Sequence, residues 1–308
     1  MKKIFLSVII LVFLATACKK DRRAPAEQGT PQDVTFKVGF EQSSVGFLET
    51  TPQNALTTNA LQTNADTSLT NRVALIVYIV YAQDGTLLHA VKQKSTDPAF
   101  GKYTDNLQPG NYTVAIAAGP ANLQLEGVTL ATGKLKLDDY FDKETFFKKF
   151  TLTVGSTSTT SSVNLHRITS YLAVVIKDPI PQGANSVTVL IKGLAKKFSV
   201  ASEQTIEPTS LYYKLDEYPF TPNGAPNYRI GVPILYTAPL TVNITVANRT
   251  SPTDASPVIY GQRQLTDVTG KPNTVTTLSG IMFGGTPSGN GFKLTVDTAW
   301  KAPINKSF

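Results

Sequence analysis

Apolar and polar residues alternate with a period of two in several short stretches of the chain, as they do in half-buried β-strands. The first stretch runs from Val34 to Phe40, and others cover residues 112–117, 150–154 and 240–246. Turn-forming residues such as Gly, Pro and Asn lie between many of these stretches. Further apolar segments predict strands at residues 171–176, 187–191, 228–236, 258–265, 274–283 and 292–296.

A longer apolar run from Val73 to Ala82 contains no charged residue and is rich in β-branched and aromatic side chains. This composition predicts a central strand that is buried on both faces. Asp84-Gly85 follows, and this dipeptide is a strong hairpin signal that leads into a second strand at residues 86–93. Helical periodicity is not sustained anywhere over more than about ten residues, and only residues 123–137 are a candidate for one short helix. The sequence therefore predicts an all-β fold.

A run of Gly, Ser and Thr fills every position from Gly155 to Ser162 and indicates a boundary between two halves of the chain. We expect an N-terminal domain at residues 33–166 and a C-terminal domain at residues 167–308. Each half is long enough to enclose one core, and short strands at this spacing favour β-sandwiches. The predicted organisation is two β-sandwich domains in tandem.

The N-terminus has the parts of a secretory signal. Two lysines precede an apolar run from Ile4 to Leu14, and three small residues follow it. The only cysteine, Cys18, comes next, and this arrangement resembles the lipobox of bacterial lipoproteins. We expect a signal peptide at residues 1–17, a lipid on Cys18 and a polar tether at residues 18–32. The alternative is a plain secretory signal with an unmodified cysteine.

A lipid on Cys18 implies a membrane partner, because each buried methylene contributes roughly 0.8 kcal/mol to membrane binding. The next residue is Lys19 rather than the aspartate that typically retains such lipoproteins in the inner membrane. We therefore expect the protein to be lipid-anchored at the cell outer membrane and exposed at the surface.

The net charge of +7 is concentrated at the N-terminus. Residues 1–23 contain six basic residues and one acidic residue, whereas residues 24–308 contain 23 basic and 21 acidic residues. A protein that binds nucleic acid needs a basic surface on its folded part to displace counterions from the phosphates. The nearly neutral folded part argues against nucleic acid as a partner.

Residues that could carry catalytic or metal chemistry are few. One cysteine and two histidines, His89 and His166, exclude a disulfide framework and a Cys/His metal cluster. Four carboxylates could in principle hold Ca²⁺, and these are Asp138, Asp139, Asp142 and Glu144. The alternating ligands of a calcium loop are absent, so a solvated acidic loop is the favoured interpretation. We predict no catalytic residues, no metal site and no cofactor.

A cluster of aromatic residues is a possible binding surface. It is interleaved with prolines and consists of Tyr212, Tyr213, Tyr218, Phe220 and Tyr228. If these rings form a flat exposed platform, they could stack on sugar rings or on a partner strand. If they pack inward, they only fasten a proline-rich loop to the end of a sandwich.

Several weak motifs follow one another in a distinctive order. The lipobox cysteine precedes the apolar run and the Asp84-Gly85 turn, and then come segments at 107–118, 163–167, 171–176 and 278–283 and finally Trp300. In this order they resemble the fimbrillin and fimbrial-anchor lipoproteins of type V pili. The resemblance implies two transthyretin-like β-sandwich domains, a non-enzymatic role and other fimbrial subunits as partners. Arg167 matches the family's arginine at the start of the second domain, and we interpret it as a structural residue.

Members of the family assemble by strand donation, in which a strand from one subunit fills an edge groove of the next. The resemblance therefore implies a lipid-anchored outer-membrane component of type V fimbriae, either an anchor or an accessory subunit. A surface glycan-binding lipoprotein, with a host or glycan ligand, is the alternative.

In this family, shaft subunits are cut after an arginine that lies beyond the first strand. Arg72 is the only basic residue between Lys37 and Lys92 and is therefore the possible protease site. Val73 begins the buried strand at once, whereas proteolysis needs a locally open segment. We predict that Arg72 is not cut and that the strand at residues 34–40 stays in place, as in an anchor.

Overall fold

A computed structural model describes residues 29–41, 69–138, 140–222, 224–235, 239–283 and 292–297. The predicted signal peptide, Cys18 and most of the tether lie outside the described residues, as does the segment 42–68. The described residues form nineteen strands and one helix of four residues, which confirms the predicted all-β fold. This short helix cannot cross a membrane, and it is the only helix in the described ranges.

The N-terminal half contributes nine strands, seven of which form one sheet in the order β3-β2-β5-β8-β9-β1-β4. β1 pairs in parallel with β9 and antiparallel with β4. The sheet bends around a single core, to which β1, β2, β4, β5, β8 and β9 all contribute. The bounds of the elements are β1 Gln32–Phe40, α1 Leu69–Arg72, β2 Leu75–Ala82, β3 Leu87–Lys94, β4 Lys102–Leu107, β5 Gly110–Gly119, β6 Gln124–Glu126, β7 Lys134–Lys136, β8 Phe146–Val154 and β9 Thr159–Arg167.

The C-terminal half forms a second sandwich. Its two sheets have the orders β15-β10-β18-β19 and β14-β11-β16-β17, and a separate apolar core lies between them. The strands are β10 Ser170–Ile176, β11 Ser186–Lys192, β12 Ala195–Ser199, β13 Gln204–Pro208, β14 Tyr212–Glu217, β15 Tyr228–Ile234, β16 Leu240–Asn248, β17 Val258–Val268, β18 Val275–Gly280 and β19 Phe292–Asp297.

β2 is buried on both faces, which confirms the prediction for the apolar run. Tyr78 packs into the N-terminal core, whereas Tyr81 packs into a third cluster on the opposite face of the sheet. A small sheet with the order β13-β12-β7-β6 contributes Leu135, Ala195 and Phe198 to this third cluster. The continuous apolar run is therefore explained by the two layers that cover it.

The small sheet contains strands from both sides of the predicted domain boundary, which itself stays a prediction. β7 pairs with β12, so that Leu135 lies opposite Phe198. The candidate helix at residues 123–137 is wrong, because this segment contains β6 and β7. Leu135 and Leu137 point to the same buried side at a spacing of two residues, and Leu135 pairs with Leu125 on one side and with the distant Phe198 on the other.

An ion-pair network connects neighbouring strands on the surface of the small sheet. Glu126 binds Lys136 at 2.7 Å and Lys197 at 3.0 Å, and Glu207 binds Lys134 at 2.8 Å and Lys197 at 3.1 Å. Hydrogen bonds from Lys136 and Lys197 lower the pKa of Glu126 from 4.5 to about 2.

We therefore expect Glu126 to titrate near pH 2 in an NMR pH titration of its side-chain carboxyl carbon. A lowered pKa means that its stabilising effect is present above about pH 4.5 and is lost as the pH falls toward 2. Lys197→Ala should return the pKa part of the way toward 4.5. A midpoint near 4.5 in the unaltered protein would show that the network does not persist in solution.

Candidate functional site around the first strand and Arg72

β1 lies inside the seven-stranded sheet and not at its edge. Its core-facing side chains are at most 8% exposed, and they are Val34, Phe36 and Val38. Burial of each such side chain contributes about 1.5–3 kcal/mol. The Phe36 ring contacts Phe150 with centroids 6.2 Å apart, and the Phe40 ring lies 4.3 Å from Phe146. Removal of this strand would therefore open the N-terminal core.

Arg72 ends α1, and its side chain is enclosed next to the end of β1. The guanidinium lies over the rings of Phe40 and Phe146, at 4.6 and 4.7 Å from their centroids. It also donates a hydrogen bond to Glu144 Oε2 at 3.2 Å, and the two side chains are only 6% and 9% exposed. Two aromatic faces and a carboxylate thus hold this cation inside the fold.

Glu144 also binds a second arginine. Its Oε1 accepts a hydrogen bond of 2.8 Å from Arg167, whose side chain is 1% exposed. Arg167 donates another hydrogen bond of 2.9 Å to Asn273 Oδ1, and Asn273 lies in the C-terminal half. We call Arg72, Glu144 and Arg167, together with Phe40 and Phe146, the Arg72 cluster. Through Asn273 it connects the β1 region to the second half of the chain.

Burial lowers the pKa of Arg167 to about 10, although the neighbouring Glu144 acts in the opposite direction. At neutral pH the guanidinium is therefore still charged. Buried charges of this kind need their partners, because removal of one partner leaves the other desolvated and uncompensated. The interpretation of Arg167 as a structural residue agrees with these contacts.

The backbone that follows Arg72 is also held in the fold. The Val73 amide donates to the Leu69 carbonyl at 3.0 Å, and the Ala74 amide donates to the Gly119 carbonyl at 2.9 Å. Val73 itself is 3% exposed. The bond between Arg72 and Val73 therefore lies between a helical turn and a sheet, which is an unsuitable conformation for a protease substrate.

The five candidate aromatic residues do not share one exposed surface. Tyr212 is 45% exposed, whereas the other four are half-buried. Tyr213 packs against the C-terminal core and lies 5.2 Å from the ring of Tyr140, and burial raises its pKa to about 12. Phe220 and Tyr228 pack against each other at 5.5 Å and against the same core. Such inward packing is expected if the rings attach the proline-rich loop to the end of the sandwich. A flat surface for stacking on sugars would need the rings to be exposed together.

The acidic segment is not simply a solvated loop. Asp138 is exposed and accepts hydrogen bonds from Asn122 and Gln124, but Glu144 lies in the Arg72 cluster. Asp139 lies outside the described residues. The described residues contain no group of His, Cys, Asp or Glu side chains that could hold a metal ion.

Sequence reasoning selected Arg72 but missed the residues that enclose it. Glu144 is separated from Arg72 by 72 positions. One sequence signal indicated that Arg72 would be enclosed: a long charge-free run follows it. A basic residue next to a buried strand needs a compensating partner. No local pattern identifies Glu144 as that partner.

Comparison with known proteins decides the family. Residues 47–306 match the family described as fimbrillin-A associated anchor proteins Mfa1 and Mfa2. The chain belongs to this family. The resemblance inferred from the sequence is thus confirmed, and the fimbrial anchor family supports a fimbrial, adhesion-related role. No curated protein matches the chain significantly.

Solved structures with a TM-score above 0.5 share the fold of this fimbrial anchor family member at low sequence identity. A candidate polysaccharide-binding protein from Bacteroides thetaiotaomicron is 10% identical, with a TM-score of 0.52 over 87% of this chain and 96% of that chain. A candidate cell adhesion protein from Bacteroides eggerthii is 14% identical, with a TM-score of 0.52 over 89% and 97% of the two chains. The anchor protein Mfa2 from Porphyromonas gingivalis is 12% identical, with a TM-score of 0.46 over 81% and 90%.

Proposed function

We propose that this protein is a lipid-anchored outer-membrane component of type V fimbriae, an anchor or accessory subunit that keeps its first strand. Membership of the fimbrial anchor family supports the fimbrial part of this proposal. The enclosure of Arg72 by Glu144, Phe40 and Phe146 is the observation that supports retention of the strand. An Arg-specific protease must bind the free guanidinium and an extended backbone, and neither is offered here.

Lipidation of Cys18 supplies the attachment to the outer membrane in this proposal. The remaining subunits of the fimbria are the partners, and they join by strand donation. Because β1 stays between β4 and β9, its position is not open to a donated strand. The protein then acts at a fixed end of the fimbria and not as a repeating shaft subunit.

Limited proteolysis of the full chain with trypsin tests strand retention. No lysine or arginine other than Arg72 occurs at residues 38–91, so any tryptic cut in this interval creates an N-terminus at Val73. We expect the folded protein to show no such N-terminus under conditions in which the urea-unfolded protein is cut there within minutes. Mass spectrometry identifies the product.

The form isolated from the cell surface provides the corresponding test in vivo. We expect its mature N-terminus to be the acylated Cys18, with β1 still attached. A mature N-terminus at Val73 would make the protein a polymerising shaft subunit and would rule out the anchor assignment.

A further inference from the structure

A groove opens in the N-terminal sandwich between β8 and β9. The two strands belong to a hairpin with a short connection at residues 155–158, but they pair only at its far end. There, Phe146 lies opposite Arg167 and Phe147 lies opposite His166. From Lys148 onward, β8 follows β5 and β9 follows β1, so the two arms separate.

The separated arms enclose a groove of about 490 Å³. Its lining residues are Glu41, Lys148, Phe150, Ser161, Ser162, Val163 and Asn164. The paired residues lie at one end of the hairpin, and its connection lies at the other end. Within the described part of the chain, no strand pairs with the facing edges at residues 148–154 and 159–165. The amide and carbonyl groups along these edges have no strand partner in this part of the chain, and such an edge is a template for an added strand.

Lys148 is the unusual residue of this groove. It lies opposite Ile116 in the β5–β8 pairing, and Ile116 faces the N-terminal core, so Lys148 points to the same side. Its neighbours on that side, Phe146 and Phe150, belong to the core or pack against it. Lys149, on the other face, has an ion pair of 3.2 Å with Glu203. Lys148 is half-buried and has no ion pair among the described residues.

An inward-facing lysine at an open strand edge discourages the addition of an arbitrary apolar strand, because its ammonium group would be desolvated without a partner. The same lysine favours a strand that brings a carboxylate to this position. Glu41 also lines the groove, but it is exposed and has no ion pair with Lys148. The groove thus combines a half-buried positive charge with open strand edges.

We propose that the groove between β8 and β9 binds an extended peptide segment of a partner protein that carries an aspartate or glutamate on its core-facing side, opposite Lys148. The backbone of this segment pairs with the open edge of β9 or β8, and its apolar side chains contact Phe150 and Val163. This surface is distinct from the position that β1 occupies, and the inference does not depend on the proposed fimbrial role.

A direct test uses synthetic peptides of about ten residues that alternate threonine and valine. In one series each valine in turn is replaced by aspartate, and in the other each is replaced by lysine. Fluorescence polarisation measures their binding to the full chain. We expect the best aspartate peptide to bind at least about tenfold more tightly than the corresponding lysine peptide.

Three variants locate the interaction. Lys148→Glu should reverse the preference, and Glu41→Gln should tighten binding of the aspartate peptide because it removes a repelling charge. Lys92→Glu changes the net charge by the same amount on exposed β3, and it should leave binding unchanged. Hydrogen exchange should slow at residues 148–154 or 159–165 when the peptide binds.

The alternatives give different results. No peptide binding up to millimolar concentration, or a preference that survives Lys148→Glu, overturns the proposal. Faster exchange at residues 32–40 on peptide binding would mean that the peptide displaces β1, and this also overturns it. Binding of an acidic oligosaccharide, such as a trigalacturonate, without binding of any peptide would assign the groove to a glycan instead. The anchor assignment is tested separately by the mature N-terminus.

Discussion

Glu144→Gln is expected to lower the free energy of unfolding by about 3–5 kcal/mol. The substitution keeps the shape of the side chain but removes the charge that Arg72 and Arg167 share at 3.2 and 2.8 Å. Both guanidinium groups are nearly inaccessible to water, so solvent cannot replace the lost carboxylate. Chemical denaturation of the purified full chain measures the change.

Asp138→Asn provides the matched control for this prediction. It makes the same chemical change six residues earlier, at an exposed carboxylate that accepts hydrogen bonds from Asn122 and Gln124. We expect its effect to stay within about 0.5 kcal/mol, as for most surface substitutions. Equal effects of the two variants would show that the Arg72 cluster does not stabilise the fold.

Glu144→Gln also tests whether the stability of the fold and the retention of β1 are connected. Loss of the Glu144 charge weakens one of the contacts that enclose Arg72, while the two aromatic rings are still present. Trypsin should therefore produce an N-terminus at Val73 more rapidly in Glu144→Gln than in Asp138→Asn. An unchanged rate would mean that the backbone around Val73, and not the side-chain enclosure, is what protects this bond.

The second large effect is expected at the N-terminus. Cys18→Ser should move nearly all of the protein from the membrane fraction to the soluble fraction. Cys18 is the only cysteine, so the substitution removes the only thiol that can be acylated. Cell fractionation with a salt wash, together with metabolic labelling by a fatty-acid analogue, measures the change.

Ala26→Ser introduces the same residue into the predicted tether without affecting the thiol, and it should leave the protein in the membrane fraction. If Cys18→Ser stays membrane-bound after the salt wash, the lipoprotein assignment is wrong. The anchor proposal would then need another means of attachment, although family membership would be unaffected.

Several strands that sequence patterns predicted correctly have clear one-sided or two-sided burial. Burial alternates at residues 34–39 of β1 and at residues 240–246 of β16, and β2 shows continuous burial. The first half of β9 was not predicted, because these residues lie in the run of Gly, Ser and Thr, a composition typical of a connection. Those residues become a strand through parallel pairing with β1, which local propensity does not encode.

The candidate site was only partly predictable for a similar reason. Arg72 stood out because it is isolated in sequence and precedes a buried strand. Glu144, in contrast, was grouped with neighbouring acids, although its oxygens bind two arginines from distant segments. The aromatic residues at 212–228 were found as a cluster, but their inward packing depends on the C-terminal core.

The all-β class and the relation to fimbrial anchors follow from the amino-acid sequence, because alternation and motif order are properties of neighbouring residues. Only the folded chain shows that Glu144 joins Arg72 to Arg167, that the small sheet combines both halves of the chain, and that β8 and β9 separate at Lys148. These features depend on which distant surfaces exclude water from one another. The free-energy cost of burying a charge or an unpaired strand edge depends on how much water the surrounding fold removes from it, and residues adjacent in sequence do not determine this.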